Sequence, residues 1–140
     1  MARVPVATGI FTDSETNPEL IGAKCADCGI ITFPTQDSCP RCASTAMESH
    51  HLARTGTLWA WTTQQFQPPS PPYSGPVGRD FVPYAVGYIT LGNEIKVEAR
   101  LTESDPSRLH IGMPMELVII PFNIDSDDNE VTTFAFRPAN

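Results

Sequence analysis

From Glu48 onward, apolar and polar residues alternate in short runs broken by turn residues, the period-two pattern of β-strands. The stretch from Gly56 to Gln67 sets Leu58, Trp59, Trp61 and Phe66 among Thr and Gln, side chains suited to a pleated, half-buried surface. Phe81 to Leu91 predicts a second strand, with Gly87 marking a bulge or bend inside it. Gly92-Asn93 is a tight-turn signal. After it, Ile95, Val97, Ala99 and Leu101 fall on one face and Lys96, Glu98, Arg100 and Thr102 on the other, which predicts a hairpin. One short helical turn is expected near Asp105–Leu109, then a buried strand from Met113 to Phe122. An acidic hairpin tip follows at Asp125–Asn129, and a last alternating strand from Val131 to Phe136. Five strands at this spacing predict a small closed barrel of the oligonucleotide/oligosaccharide-binding (OB) type, with a small sandwich as the competing arrangement.

Upstream the pattern changes. Residues 1–19 carry no periodicity and are rich in polar and turn residues, so an irregular arm is expected there. Residues 20–46 read as a separate module: a short strand at Leu20–Lys24, a returning strand at Ile30–Pro34, and two cysteine turns. The expected division is therefore arm 1–19, ribbon 20–46 and barrel 47–140. The chain is mostly β throughout.

Composition narrows the function. At 41% hydrophobic residues the chain can fill a core. A net charge of -7 repels phosphate backbones and works against a nucleic-acid reader. No apolar stretch reaches the roughly 20 residues of a membrane span, and Met1–Val6 lacks a long apolar leader. A cytoplasmic setting is expected, in which cysteines serve as metal ligands more readily than as disulfides.

Cys25-Ala26-Asp27-Cys28 and Cys39-Pro40-Arg41-Cys42 are two Cys-x-x-Cys turns separated by ten residues. Zinc takes four thiolates at tetrahedral corners about 2.3 Å away, and a two-residue spacer lets both sulfurs of one turn reach one ion. An iron site of the rubredoxin kind uses the same ligands. Four protein ligands leave no open coordination position, so the predicted role is structural. Gly29 permits the positive φ such a turn uses. The second turn has no glycine at the matching place and is expected to close differently.

The ordered series Cys25-x-x-Cys28-Gly29, Phe33-Pro34, Cys39-Pro40-x-Cys42, Gly56-Thr57-Leu58, Val82-Pro83-Tyr84-Ala85-Val86-Gly87, Ile111-Gly112-Met113-x-Met115-Glu116-Leu117 and Phe134-Ala135-Phe136-Arg137-Pro138 resembles a known family. It is the zinc-ribbon plus OB-fold acyl-CoA-associated family, long catalogued as a domain of unknown function. The likeness spans about residues 20–138. It implies a subunit without catalytic residues of its own, bound to a thiolase-like or lipid-transfer-type thiolase-superfamily protein. That partner would act on acyl-CoA in lipid, steroid or aromatic degradation as a thiolase or retro-aldol lyase. It implies structural Zn2+, a bound CoA thioester, and a hetero-oligomer built around a partner dimer. Family members often begin with a helical segment. Here residues 1–19 are polar and contain Pro5 and Pro18, against a helical arm.

Beside that expectation, the residues suggest where CoA or a partner would sit. The segment 67–76 is proline-rich, stiff and extended, and predicts a lip at the barrel mouth. Phe66, Tyr73, Arg79, Phe81, Tyr84, Lys96 and Arg100 are the candidates, Arg79, Lys96 and Arg100 for phosphates, with Arg54 a further cation. Trp59, Trp61, Phe66 and Phe81 could line a channel, but most of them are expected in the core. His50 and His51 would point to opposite faces of a strand and serve no common site, and His110 is expected to face solvent. With every cysteine committed to metal, no thiol remains for a thiolase-type nucleophile. The alternative is an OB-fold nucleic-acid binder with a structural zinc ribbon, disfavoured by the charge.

Overall fold

The computed structural model describes residues 2–14, 16–70, 73 and 75–139. In chain order the strands are β1 (Arg3–Pro5), β2 (Ile21–Cys25), β3 (Ile31–Thr32), β4 (Met47–His51), β5 (Thr55–Gln64), β6 (Tyr84–Leu91), β7 (Ile95–Leu101), β8 (Pro114–Ile124) and β9 (Glu130–Pro138). Short 3-10 turns occupy Gly78–Asp80 and Pro106–Arg108, the second within the turn expected from sequence.

Five strands close a barrel. β5 pairs with β6, β6 with β7, and β8 with both β5 and β9, all antiparallel. β7 and β9 then run parallel and meet at only two positions, Arg100 opposite Ala135 and Leu101 opposite Phe136. Inward-facing residues alternate along each strand, so Leu58, Ile89, Leu91, Val97, Leu101, Met115, Leu117 and Phe136 form one buried core. The β6–β7 hairpin has the expected register, from Leu91↔Ile95 to Ala85↔Leu101.

Four features depart from the sequence reading. The arm is not wholly irregular: β1 pairs in parallel with Glu130–Thr132 of β9, because an edge left free by β7 accepts any extended segment that reaches it. β4 belongs to the ribbon and not to the barrel, pairing with β2 from Ile21↔His51 to Cys25↔Met47. The bulge lies in β5, between Leu58 and Ala60, rather than at Gly87. Gly87 pairs with Trp61 just past the bulge, where an added Cβ would stand 2.9 Å from both the Ala60 carbonyl oxygen and Leu58 Cδ1. Finally, Trp59 and Phe66 are not core residues: they are 53% and 81% exposed. Trp59 follows inward Leu58 and so faces outward by simple alternation, the bulge lets Trp61 turn back toward the core, and Phe66 lies beyond the end of β5. Trp61 does pack against the core.

The β8–β9 connection is a hydrogen-bonded tip. Asp125 Oδ1 accepts from the backbone N–H groups of Asp127 and Asn129 at 2.9 and 2.8 Å. The Asn129 amide, with further bonds from that turn, holds the Asp125 carboxyl below its ordinary value. A lowered folded pKa gives stability that is present above the unfolded value and lost as pH falls through the folded one. Asp125→Ala is therefore expected to lower Tm at pH 7, with the difference narrowing below pH ~4 as the wild-type carboxyl protonates. Thermal melts across pH check this.

Candidate metal centre and ligand cleft

The two cysteine turns bring Cys25, Cys28, Cys39 and Cys42 together with all four sulfurs within 4.8 Å of one another. Cys25 Sγ lies 3.6 Å from Cys42 Sγ, and Cys28 Sγ 3.5 Å from Cys39 Sγ. Four thiolates around zinc at about 2.3 Å stand about 3.8 Å apart, so the cluster already has the size that the ion needs. β2 ends at Cys25 and β4 begins at Met47, which pairs with it, so the ribbon sheet anchors the centre. Backbone amides point at the sulfurs: Cys28 N–H at Cys25 Sγ, 3.4 Å, and the Arg41 and Cys42 N–H groups at Cys39 Sγ, 3.3 and 3.4 Å. Burial pushes the Cys39 thiol up, but the amides of Cys42 and Arg41 outweigh it and bring it down to about 6. Cys42 goes the other way, to about 12: the Ser44 amide favours its thiolate, but the Cys25 sulfur and burial prevail. Four thiolates this close repel one another, so all four ionise together only with a cation among them.

The two turns close alike, contrary to the sequence expectation. Gly29 N–H donates to Cys25 O and Ala43 N–H to Cys39 O, each at 2.9 Å. Gly29 has φ 81° and Ala43 φ 64°, so Ala43 adopts the left-handed conformation without being glycine. A non-glycine residue is disfavoured there by about 1–2 kcal/mol, partly offset by its smaller unfolded-state entropy. Gly29→Ala is expected to destabilise the zinc-loaded chain by about 1 kcal/mol and Ala43→Gly to stabilise it by about 0.5 kcal/mol. Urea denaturation of the two variants measures both.

His50 and His51 do point apart, His50 Nε2 to Glu94 Oε1 at 3.1 Å and His51 Nδ1 to Glu19 Oε1 at 3.3 Å. The first joins the ribbon to the β6–β7 turn. His110 is exposed.

A cleft of about 660 Å³ lies where ribbon and barrel meet. Its wall on the barrel side is the outer face of β6 and β7, which carries Tyr84, Val86, Tyr88, Lys96, Glu98 and Arg100. Phe33 and Pro34 of the ribbon, Ile10 of the arm, Thr133 and Phe134 of β9, Tyr73 and Phe122 stand around it. Arg100 is sandwiched by aromatic rings, its guanidinium carbon 3.9 Å from the Tyr84 centroid and 5.8 Å from that of Phe122. Lys96 Nζ stands 4.7 Å over Trp59. Between the two cations Glu98 Oε2 accepts from Tyr88 Oη at 3.1 Å, which raises the Tyr88 phenol. Tyr73 packs edge-on against Phe122 and donates to Pro76 O at 2.9 Å. Burial raises its phenol.

Of the sequence candidates, the cleft thus gathers Tyr73, Tyr84, Lys96 and Arg100. Phe81 reaches it indirectly, its ring 6.2 Å from Tyr84. Phe66 and Arg79 are exposed and do not line it, and Arg54 lines another cleft beside Asn17, to which Nη1 donates at 3.0 Å. In the proline-rich lip, Pro71, Pro72 and Ser74 lie outside the described residues. Phe33, Phe122 and Phe134 were not singled out as ligand-facing from sequence; Phe33 and Phe134 stood only within the ordered motif series, and Phe122 only at the end of the predicted buried strand.

Residues 13–48 match the family described as the ChsH2 rubredoxin-like zinc ribbon domain, and residues 49–119 the ChsH2 C-terminal OB-fold domain. The chain belongs to the ChsH2 family. Among relatives of this ChsH2-type chain, a DUF35 domain-containing scaffold protein of Methanocaldococcus jannaschii is 27% identical over 85% of this chain and 81% of its own length. The benzoylsuccinyl-CoA thiolase subunit BbsA of Thauera aromatica is 28% identical over 86% and 76%. A solved Ltp2-ChsH2(DUF35) aldolase chain superposes with a TM-score of 0.62 at 26% identity, covering 87% of this chain and 86% of that one. Among the described residues no helix is long and apolar enough to cross a membrane.

Proposed function

We propose that this ChsH2-type chain is an accessory subunit of a thiolase-superfamily complex, that it binds acyl-CoA in the cleft between ribbon and barrel, and that its partner performs the carbon–carbon bond chemistry. The observation that carries this reading is the gathering of every cysteine of the chain into one metal centre. No thiol is left to act as a thiolase-type nucleophile. Relatives named as a thiolase subunit and as part of an aldolase favour a thiolase-fold partner.

The cleft suits the ligand. The outer face of the second and third barrel strands is where OB folds commonly take ligands, and here those strands are β6 and β7. Lys96 and Arg100 supply positive charge for phosphates, each held over an aromatic ring that fixes its direction. Phe33 and Phe134, edge-on at 5.6 Å, offer an apolar wall. CoA-end binding would then position the thioester for the partner's reacting groups.

Co-purification with a thiolase-like protein encoded beside the gene tests the subunit assignment; a lone monomer that binds no CoA would refute it. Arg100→Ala is expected to weaken CoA binding about tenfold or more in calorimetry, the effect of losing a charge-assisted hydrogen bond. Single-stranded oligonucleotides should not compete at physiological salt.

A further inference from the structure

The shape of the barrel closure points to what the cleft does with the ligand's chain. Along one edge of β9, β1 occupies Glu130–Thr132 and β7 is paired only at Ala135 and Phe136. β7 is thereby held off β9 over its first half, and among the described residues, 95–99 have a strand partner on the β6 side alone. Backbone groups alternate in direction along a strand. Thr102 N–H donates to Phe136 O at 3.0 Å, so even-numbered residues of this segment turn their N–H and C=O groups toward the β9 side. The main-chain groups of Lys96 and Glu98 therefore face the gap. Both residues line the cleft, as do Phe134 across the gap and Phe33 beside it.

A paired-on-one-side strand in a cleft recognises a molecule with amides in extended sequence. The charges narrow the choice. Lys96 and Arg100 stand on the same outer face of β7, and among the described residues neither has a carboxylate within ion-pair distance. In a chain of net charge -7, two such cations beside a free edge favour an anionic ligand. The pantetheine arm meets both conditions: two secondary amides in a linear chain, with phosphate at one end.

We propose that the open edge of β7 at Lys96 and Glu98 binds the pantetheine arm of a CoA thioester by strand-like pairing of its amides, the phosphate end lying toward the Lys96 or Arg100 side chain. This rests on the acyl-CoA reading above and adds that the arm, and not the nucleotide alone, is held by this subunit. The aromatic wall of Phe33 and Phe134 then flanks the arm, so the ribbon takes part in holding it.

The test is amide hydrogen exchange by NMR on the zinc-loaded full chain, alone and in any complex that co-purification yields, with CoA as the probe. Slowed exchange at the Lys96 and Glu98 amides, about fivefold or more, is expected. Phosphopantetheine should reproduce the protection, and 3′,5′-ADP should not. An edge strand tolerates proline where its N–H faces outward, so Glu98→Pro is expected to fold, retain zinc and bind phosphopantetheine about fivefold more weakly than Glu98→Ala, which keeps the amide. Binding of CoA with no protection at either amide would overturn the inference and leave the acyl-CoA reading standing. No binding of CoA in either form would refute that reading and the inference with it.

Discussion

Removing the metal with a strong chelator is expected to unfold the ribbon cooperatively, and Cys39→Ser to weaken metal binding by more than the 10–100-fold typical of residues that merely support ligands. The ribbon sheet has three strands, one of them two residues long, and its own buried residues beyond the cysteines are few: Gly22, Ala23 and Thr32, with Leu20 and Leu52 shared with the barrel. Such a module lacks the apolar surface to fold alone. The ion supplies the missing free energy, about 10–16 kcal/mol for zinc held in comparable small domains. The consequence reaches the cleft. Phe33 and Pro34 lie on the hairpin between the two cysteine turns, and Phe33 closes the apolar wall against Phe134. Chelated protein should therefore bind CoA more weakly, and reloading with zinc should restore binding. Circular dichroism, zinc release and calorimetry on one sample would follow the three steps. Chelated protein that keeps a native spectrum would show that the clip is dispensable.

The second large effect concerns the barrel. Phe136 is completely buried where the closure is made, opposite Leu101 on β7 and Leu117 on β8. Phe136→Ala removes a ring from the narrowest pairing in the barrel, and the flanking strands cannot collapse into the space without breaking register. Its cost is about 3–5 kcal/mol, which corresponds to a fall in Tm of about 10–20 °C for a chain of this size. The metal centre is far along the chain and built by other strands, so the four-thiolate absorption of cobalt-substituted protein should persist below the lowered transition. Loss of both together would mean that ribbon and barrel fold as one unit.

What could be read from the sequence followed the range of the interactions. The two Cys-x-x-Cys turns and the Leu91–Ile95 hairpin are set by neighbours within a few residues, and both are present where the spacing puts them. The alternation of Ile95, Val97, Ala99 and Leu101 directly encodes which face is buried. The third ribbon strand left no such mark. Met47–His51 is MESHH, polar at most positions, and becomes a strand because β2 needs a second partner. β1 was invisible for a similar reason: three residues whose partner lies over a hundred positions away. Trp59 and Trp61 illustrate a third limit: two apart on a strand they would share a face, but the extra residue between Leu58 and Ala60 leaves Trp59 outside and Trp61 against the core, and no local pattern announces the insertion. The cleft was legible only in pieces. Tyr84, Lys96 and Arg100 could be named as candidates, but their union with Phe33 and Ile10 exists only once the ribbon and arm are laid against the barrel.

The three-residue strand at the N-terminus also protects the protein from its own kind. Without Arg3–Pro5, the Glu130–Thr132 segment would present bare backbone donors and acceptors to any passing chain, a template for sheet-to-sheet polymerisation. A chain trimmed of its first six residues should thus be more prone to form soluble oligomers on storage, even where its melting temperature scarcely moves.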